Sequence, residues 1–240
     1  MDKFRVEVLS AMANPQQVIW AAMHQDYSEG FVADGRDRFP QEAKAGELVV
    51  KHLLKGNRGH FGPLEHPQIV FNAGYFPHST MQQLRTHRVG VSFDVQSMRY
   101  SGARVAEVAE GKRDIEEVFY LRPVGKYDNR QGKRYFYSEE QRQADLEWCL
   151  EACKRYRDRM DEGLSEEHAR GLIPFDFRQH FVLSCNARSL MHLLDLRAKA
   201  DAQLEIQKLC ELLMDHFREW MPEVAAWYEE TRLAKARLSP

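Results

Sequence analysis

The segment MQQLRTHRVGVSFDVQSMRYSGAR, residues 81–104, concentrates cationic side chains beside hydroxyl groups. Arginine presents a planar fork of donors and serine adds a neutral donor, and together they suit a phosphate monoester. A solvated face of surface ion pairs is the alternative for such a stretch taken alone. The residues concerned are Arg85, His87, Arg88, Ser97, Arg99, Tyr100 and Arg104.

Three further clusters carry residues that could do chemistry. HFGPLEHP, residues 60–67, crowds two histidines and Glu65 into a proline-bounded turn. Its histidines lack the spacing of a zinc site on a helix, which favours a hydrogen-bonded turn over a metal site. EEHARGLIPFDFR contains Arg170 ahead of a proline, and NARSLMHLLDLR contains Arg188, His192 and Arg197. An isolated arginine or histidine at such positions is more often a surface or core-edge residue.

Helical geometry places the last cluster on different faces. Arg188 and His192 lie one turn apart, whereas Arg197 lies about 180° around the helix from Arg188. If both arginines are functional, this helix lies between two ligands or two subunits. No Walker loop, dinucleotide-binding glycine fingerprint or nucleophile elbow occurs in the sequence, which removes the commonest nucleotide-binding and hydrolase assignments.

Composition limits the function classes. The chain has 240 residues, 43% hydrophobic content and a net charge of −2, so it can bury a large core and has no global positive field to attract nucleic acid. Cys149, Cys153, Cys185 and Cys210 have no paired metal-ligand spacing and are predicted to be reduced core thiols. No segment approaches the roughly 20 apolar residues of a membrane span, and the N-terminus does not resemble a signal peptide, so we expect a cytoplasmic protein.

The elements that must position these clusters are strands and helices in an irregular mixture. Alternation in residues 4–8 predicts a half-buried strand. Asn14 as N-cap and Pro15 at the first helical position predict a helix. A second helix is predicted within residues 41–57, where Gly56 ends it.

A strand is predicted over residues 68–76, followed by a short helix within residues 78–88 that Ser79 or Thr80 caps. Residues of about 107–137 are charged, aromatic and glycine-rich, which indicates a hairpin or an inserted surface excursion.

The C-terminal half is predicted to be mostly helical. Ser138 and Gln141 form a capping-box pattern for a long helix to about Asp161, and a second such pattern begins near Ser165. One strand and further helices follow, and Pro222 opens the last helix. Because no repeat or linker interrupts the chain, the simplest prediction is a single α+β domain over residues 1–240.

Together, the four clusters resemble the flavin-dependent thymidylate synthases. The signature of that family is RHR, seven or eight residues, then S-x-R, and THRVGVSFDVQSMRY is similar to it. HFGPLEHP looks like its HxxPFEH turn, ARGLIP like its ARxxLP motif, and NARSLMHLLDLRAKADAQLEIQ like its C-terminal helix motif. These matches follow the order of the family over about residues 60–207.

The resemblance implies an activity and an assembly. It implies reductive methylation of dUMP to dTMP, with methylenetetrahydrofolate as carbon donor, FAD as hydride carrier and NADPH as reductant. It also implies a helix-rich α+β fold with an antiparallel sheet, assembled as a homotetramer with active sites at subunit interfaces. Neither a metal, nor a nucleic acid, nor a membrane is expected as a partner. A nucleic-acid module that stacks bases on Phe93 and Tyr100, and a structural protein with a charged face, are the rival classes.

The resemblance also assigns residues. Arg197 matches the arginine that activates the uracil ring, and it is the predicted catalytic residue. The predicted dUMP-binding residues are Gln83, Arg85, Thr86, Gln96, Ser97, Arg99, Arg170 and Arg197. The predicted FAD-binding residues are His60, Gly62, Glu65, Thr86, His87, Arg88, Asp94, Asn186, Arg188 and His192.

The sequence departs from the family pattern at a few positions. Thr86 stands where the signature begins with arginine, and Arg85 lies one place earlier. Within FDVQ, Asp94 is the candidate replacement for the usual glutamate of the family. Ile173 and Leu64 are apolar exchanges for the usual leucine and phenylalanine. None of these changes removes an arginine that is predicted to bind dUMP.

Overall fold

A computed structural model describes residues 3–56, 60–129 and 131–235 of the chain. Residues 57–59, at the end of the predicted second helix and the start of the turn-rich segment after it, lie outside the described residues. Among the residues described, no helix has the length and apolar character needed to cross a membrane.

The described residues form six strands in two sheets. The strands are β1 (Arg5–Ala11), β2 (Gln68–Pro77), β3 (Val91–Val95), β4 (Gly125–Asp128), β5 (Arg134–Tyr137) and β6 (Arg178–Asn186). The larger sheet has the order β1-β2-β6-β3, and β4 and β5 form an antiparallel hairpin.

Helices contribute most of the remaining structure, so the predicted helix-rich α+β class with antiparallel sheets is confirmed. The α-helices are α1 (Pro15–Gln25), α2 (Glu42–Val49), α3 (His78–Leu84), α4 (Met98–Ser101), α5 (Ala103–Ala109), α6 (Glu139–Asp161), α7 (Glu166–Ala169), α8 (Ala187–Arg197), α9 (Leu204–Trp220) and α10 (Pro222–Thr231). Short 3-10 helices cover Val32–Arg38, Gly62–Glu65, Ile115–Glu117 and Arg170–Leu172, and a π-helical turn covers Val50–Leu54.

Contacts between residues divide the chain into two compact units. The first unit comprises the N-terminal residues up to Arg5 together with Ala73–Thr86 and Asp94–Phe181; the second comprises Val6–Asn72, His87–Phe93 and the chain from Val182 onward. The single-domain hypothesis for residues 1–240 stays a prediction.

The first unit has a core built on α5 and α6. Val105, Cys153 and Tyr156 are buried there with Phe119. The hydrophobic effect stabilises such a cluster by about 25 cal/mol for each Å² of apolar surface that it buries. The predicted excursion lies in this unit, and part of it is the β4–β5 hairpin, in which Gly125 pairs with Tyr137.

A buried arginine connects separate segments of the first unit. Arg178 is 3% exposed, and its guanidinium donates to the carbonyl oxygens of Glu116 at 2.7 Å and Tyr75 at 2.8 Å. The Tyr120 ring lies 5.3 Å from the guanidinium carbon. Carbonyl acceptors and an aromatic face compensate for the loss of water around a buried cation.

The second unit is largely helical. Helix α1 packs against α2, α10 packs against both α2 and α9, and α8 packs against α9. Leu190, Leu193 and Leu194 of α8 are fully buried, as the apolar spacing of that helix predicts.

Several predicted helix starts are confirmed and others are wrong. Ser138 and Gln141 form the predicted capping box, and α6 ends at Asp161. Asn14 is the N-cap of α1, but its backbone is left-handed and its side chain makes no capping hydrogen bond with the described residues. Ser165 likewise precedes α7 without such a bond in the part of the chain described.

The predicted cap of the short helix is also wrong. Helix α3 begins at His78, directly after Pro77, so Ser79 and Thr80 lie inside it. The backbone N–H of Ser79 donates instead to the carboxylate of Asp176 at 3.1 Å. A residue far away in sequence thus satisfies a donor that the helix leaves unpaired.

The predicted second helix changes its geometry partway. Helix α2 ends at Val49, and the chain continues as a π-helical turn that Lys55 closes with a hydrogen bond to the Val50 carbonyl oxygen. Gly56 follows with φ +83°, in agreement with its predicted role as the helix end. A π turn changes the direction of the side chains relative to a regular α-helix. Leu53 and Leu54, which lie in this turn, are buried.

Candidate active site

The predicted site residues fall on both compact units. Those in the first unit are Gln83, Arg85, Thr86, Asp94, Gln96, Ser97, Arg99 and Arg170. Those in the second unit are His60, Gly62, Glu65, His87, Arg88, Asn186, Arg188, His192 and Arg197. Most of the predicted dUMP set therefore lies in the first unit and most of the predicted FAD set in the second.

Ser97 fixes the start of α4 in the first unit. Its Oγ accepts a hydrogen bond from the backbone N–H of Arg99 at 3.3 Å, and its carbonyl oxygen accepts one from the Ser101 hydroxyl at 3.0 Å. A hydroxyl at the N-cap satisfies a donor that the helix leaves unpaired. Helix α4 thereby holds the Ser97 hydroxyl beside the backbone of Arg99.

Arg99 and Arg170 lie on neighbouring elements of the first unit. Helix α4, which carries Arg99, packs against α7, and Arg170 directly follows α7. Both arginines are exposed, and Arg99 Nε lies 2.8 Å from Glu167 Oε1. Tyr100 is 86% exposed, and the Arg99 guanidinium lies over its ring at 5.9 Å. This surface presents accessible cationic donors to an anion.

The remaining predicted dUMP residues lie on α3 and beside β3. The Thr86 hydroxyl donates to the carbonyl oxygen of Gln83 at 2.8 Å, just after α3. Arg85 is exposed, and so is Asp94, a predicted FAD residue that lies on β3. The backbone N–H of Gln96 donates to the His180 carbonyl oxygen at 2.9 Å, while its side-chain Oε1 is buried and has no hydrogen-bond partner among the described residues.

His87 and Arg197 form the central contact of the second unit. Arg197 Nε donates to His87 Nε2 at 3.0 Å, and His87 is 3% exposed. Burial, the charge of Arg197 and the nearby His192, in that order of importance, together lower the pKa of His87 to about 4. His87 is thus neutral at neutral pH, with its proton on Nδ1, because Nε2 is the acceptor.

His192 packs against the His87 ring. Their ring centroids lie 5.3 Å apart at an interplanar angle of 71°, an edge-to-face arrangement. Burial is the main cause that lowers the pKa of His192, although the carboxylate of Asp195 acts in the opposite direction. Arg197 therefore lies beside imidazoles that stay uncharged at neutral pH.

A tight turn after His87 is tied to the start of α8. The Ser189 hydroxyl donates to the Val89 carbonyl oxygen at 2.8 Å, and the Asn186 side chain caps α8 through the Ser189 N–H. Gly90 has φ +65°, and a Cβ there would lie 2.3 Å from Ser189 Oγ and 2.4 Å from Asn186 Nδ2. Arg88, just before this turn, is exposed. Sequence reasoning did not single out Gly90, although glycine between two signature residues was an available signal.

Asp195 is a second residue that sequence reasoning missed. It is 2% exposed, accepts a hydrogen bond from the Tyr228 hydroxyl at 3.0 Å, and lies 2.7 Å from Arg232 Nη2. Burial raises the pKa of Asp195, and the hydrogen bond and charge of Arg232 oppose that rise. The network joins α8 to Tyr228 of α10 and to Arg232, which directly follows α10.

Arg188 and Arg197 contact different groups, as their helical spacing predicts. Arg188 Nη1 lies 2.5 Å from Glu65 Oε1, at the end of the Gly62–Glu65 turn. His60 Nε2 lies 2.9 Å from Asp26 Oδ2, and both side chains are about half exposed. A Cβ at Gly62 would meet no described atom within 4 Å, so its backbone is accessible.

The cysteines are not built for nucleophilic chemistry. All four are free and buried, which confirms the predicted reduced core thiols. Burial and the charge of Asp145 raise the pKa of Cys149 to about 11, and burial raises the pKa of Cys185 to about 12. A thiol, and not a thiolate, is therefore present at neutral pH. Within the described ranges, no group of three or more histidine, cysteine, aspartate or glutamate side chains could hold a metal ion.

Solved structures with this fold identify a class. The chain aligns with a UMP/dUMP methylase PolB from Streptomyces cacaoi bound with 5-Br dUMP, with a TM-score of 0.76, 23% identity and coverage of 99% of this chain and 98% of the other. It aligns with thymidylate synthase X from Helicobacter pylori, solved with FAD and dUMP, with a TM-score of 0.66, 21% identity and coverage of 95% and 98%. The fold is that of the thymidylate synthase X class.

Sequence comparison gives the family. The family model described as thymidylate synthase complementing protein matches residues 7–223. A flavin-dependent thymidylate synthase of Halobacterium salinarum is 34% identical over 253 residues, which cover 98% of this chain and 100% of the relative. One of Haloarcula marismortui is 33% identical over 250 residues, with 98% and 99% covered. The chain belongs to the flavin-dependent thymidylate synthase family, and it is an enzyme.

Proposed function

We propose that this enzyme converts dUMP to dTMP by reductive methylation, with methylenetetrahydrofolate as one-carbon donor, FAD as hydride carrier and NADPH as reductant. The observation that carries the proposal is the Arg197 guanidinium, which donates to the buried neutral imidazole of His87 at 3.0 Å. A positive charge that is fixed before the reaction stabilises negative charge that develops in the transition state.

The first unit supplies the proposed nucleotide-binding residues. Arg99 and Arg170 are exposed on neighbouring elements, and the Ser97 hydroxyl lies at the start of the same helix as Arg99. Guanidinium forks and a hydroxyl match the oxygens of a phosphate monoester. Gln83, Arg85, Thr86 and Gln96 complete the proposed dUMP set. The buried Gln96 Oε1, without a hydrogen-bond partner among the described residues, is an acceptor available to a ligand donor.

The residues present in the second unit fit FAD. The Nδ1 atom of His87 is buried and has no hydrogen-bond partner among the described residues, and as a donor it suits an acceptor atom of the flavin ring. Gly62 leaves its backbone open to close approach, and Arg188 offers a cation. The residues proposed to hold FAD are His60, Gly62, Glu65, Thr86, His87, Arg88, Asp94, Asn186, Arg188 and His192.

Arg197 is the proposed catalytic residue. A guanidinium beside N3 and the carbonyl oxygens of uracil favours an anionic ring and raises electron density at C5. C5 then forms a bond to the methylene carbon, the bonds from that carbon to the folate nitrogens break and release tetrahydrofolate, and the C5 hydrogen leaves as a proton. The methylene carbon needs one hydride to become a methyl group, and FAD that NADPH has reduced would supply that hydride. The buried thiols take no part.

Assembly and location complete the proposal. We infer a homotetramer with active sites at subunit interfaces, one domain per chain, and a cytoplasmic protein. Light scattering of the purified enzyme tests the assembly, and a tetramer mass is the expected result. A stable monomer with full activity would contradict interface-built sites.

The test of the function is a product assay. We expect dTMP from dUMP only when FAD, NADPH and methylenetetrahydrofolate are all present, and tritium release from C5-labelled dUMP at a matching rate. Mixtures that lack one component are the controls. UMP in place of dUMP tests whether the 2′ position is discriminated. Failure to form dTMP in the complete mixture, with folded flavin-loaded enzyme, would overturn the proposal.

A further inference from the structure

We propose that His87 is a positioning residue for Arg197: its Nε2 accepts the Arg197 Nε–H and fixes the plane of the guanidinium that acts on the uracil ring. This inference rests on the proposed function of Arg197. It assigns His87 a task separate from the flavin contact proposed for Nδ1. The two ring nitrogens of one buried histidine would then serve two different partners.

The direction of the hydrogen bond follows from chemistry. Arginine carries only donors, so His87 Nε2 must be the acceptor in the 3.0 Å contact. A doubly protonated imidazole could not accept this bond, and the charge of Arg197 beside a buried ring disfavours such an imidazolium. The contact therefore selects one tautomer of His87.

Fixing Nε restrains the whole guanidinium. The group is planar, so a directed hydrogen bond at Nε limits both the rotation of the plane and the directions in which the two Nη groups point. Arginine is otherwise a rotamer-rich side chain, and ordering it costs conformational entropy. With His87 in place, part of that cost is met before the nucleotide binds, which is preorganisation.

The acceptor is itself held from two sides. The His192 ring packs edge-on against His87 at 5.3 Å. Two residues further along the chain, the Val89–Gly90 turn is tied to the first turn of α8 through Ser189 and Asn186. The helix that carries Arg197 therefore also fixes the backbone near its hydrogen-bond acceptor.

The donor helix is fixed on another side. Asp195, two residues before Arg197, is bound by the Tyr228 hydroxyl and Arg232. These contacts oppose rotation of α8 about its axis. Donor and acceptor are thus both attached to one restrained helix, which is what a positioning pair requires.

Two substitutions of His87 separate its two nitrogens. A glutamine amide reaches the position of Nε2, and an asparagine amide reaches the position of Nδ1. We expect His87→Gln to weaken flavin binding, because the Nδ1 donor is lost, but at saturating FAD to keep kcat for dTMP formation at least about fivefold above that of His87→Asn, because an acceptor for Arg197 remains. We expect His87→Asn to lower kcat by about 10- to 100-fold, since a misaligned group costs about that much, with dUMP affinity changed less than about threefold.

A double-mutant cycle with Arg197 decides between positioning and general structural damage. In an Arg197→Lys background, which lacks the Nε donor, we expect His87→Asn to cost less than about threefold in kcat, because the bond is already gone. Equal losses in the glutamine and asparagine variants, or an undiminished loss in the Arg197→Lys background, would overturn the proposal. If the unchanged enzyme forms no dTMP, the proposed function has failed instead, and this result is distinguishable from both outcomes. Circular dichroism and flavin absorbance establish that each variant is folded and loaded.

Discussion

Glu167 forms an ion pair with Arg99: the Arg99 Nε and Glu167 Oε1 atoms lie 2.8 Å apart, and both side chains are about half exposed. Arg99 is a proposed phosphate-binding residue, so this carboxylate is the partner that a phosphate would displace. A half-exposed ion pair contributes only about 0.2–1 kcal/mol, which a doubly charged phosphate with forked acceptors can exceed.

Glu167→Gln is therefore expected to tighten dUMP binding. Loss of the competing charge should lower the Kd by about two- to fivefold, the equivalent of about 0.4–1 kcal/mol. Isothermal titration calorimetry measures the change. Glu166→Gln removes the same charge one residue earlier and is the matched control. Equal effects of both substitutions would show that only the net charge matters, and that Glu167 does not compete for Arg99.

Gly90→Ala should destabilise the fold strongly. Its φ of +65° disfavours a side chain by about 1–2 kcal/mol, and the close approach of Ser189 and Asn186 adds an overpacking cost of about 1–3 kcal/mol. Gly111→Ala is the matched control, because Gly111 has φ +69° but a Cβ there would meet no described atom within 4 Å. Urea unfolding gives the free energy of unfolding of both variants. Similar decreases at the two positions would show that Ser189 and Asn186 do not restrict a side chain at residue 90.

Asp195→Asn should lower the free energy of unfolding by about 2–4 kcal/mol, because it removes the Asp195 counter-charge from the mostly buried Arg232 guanidinium. The asparagine can still accept from the Tyr228 hydroxyl through Oδ1, so the loss comes from the contact with Arg232. Asp215→Asn breaks an exposed pair with Arg218 and should cost less than about 1 kcal/mol. Comparable losses at the two positions would argue against a buried network on α8.

Stability should depend on pH through His87. Its pKa is about 4 in the folded protein and about 6.5 in the unfolded chain, so the unfolded state binds the extra proton between those values. The contribution of His87 to the free energy of unfolding is complete above about pH 6.5. It is lost as the pH falls toward 4, at about 1 kcal/mol per pH unit. His87→Gln should flatten that part of the pH profile of unfolding. An unchanged slope would mean that His87 is not the titrating group.

Local rules predicted the elements whose signals lie within a few residues. The capping box of Ser138 and Gln141 and the proline at the start of α10 involve only neighbouring residues. The strand over residues 68–76 and the apolar face of α8 follow from periodicity. Such signals are confirmed because tertiary contacts reinforce them.

Tertiary contacts explain the failures. Asp176, about a hundred residues away in sequence, supplies the acceptor at the start of α3, so no local pattern could reveal it. The π turn after Val49 likewise has no local breaker before Gly56. From the sequence alone, Asp195 is an ordinary polar residue of an amphipathic helix. Its buried network depends on Tyr228 and Arg232, which lie more than 30 residues further along the chain.

The candidate site was predicted by resemblance more than by residue chemistry. The motifs identified Arg197 and His87, but their mutual hydrogen bond depends on a turn and a helix about a hundred residues apart in sequence. The spacing of Arg188 and Arg197 did predict different partners, and the contacts with Glu65 and His87 confirm this. Roles toward dUMP and FAD stay predictions.

The most direct test of the central claim is a single-turnover experiment. The flavin-loaded enzyme is reduced without oxygen by NADPH, the excess NADPH is removed, and dUMP with methylenetetrahydrofolate is then added. We predict that the absorbance of oxidised flavin returns at the same rate as dTMP forms, and in equal amounts. Formation of dTMP with no change in flavin absorbance, or reoxidation of flavin without dTMP, would contradict the account.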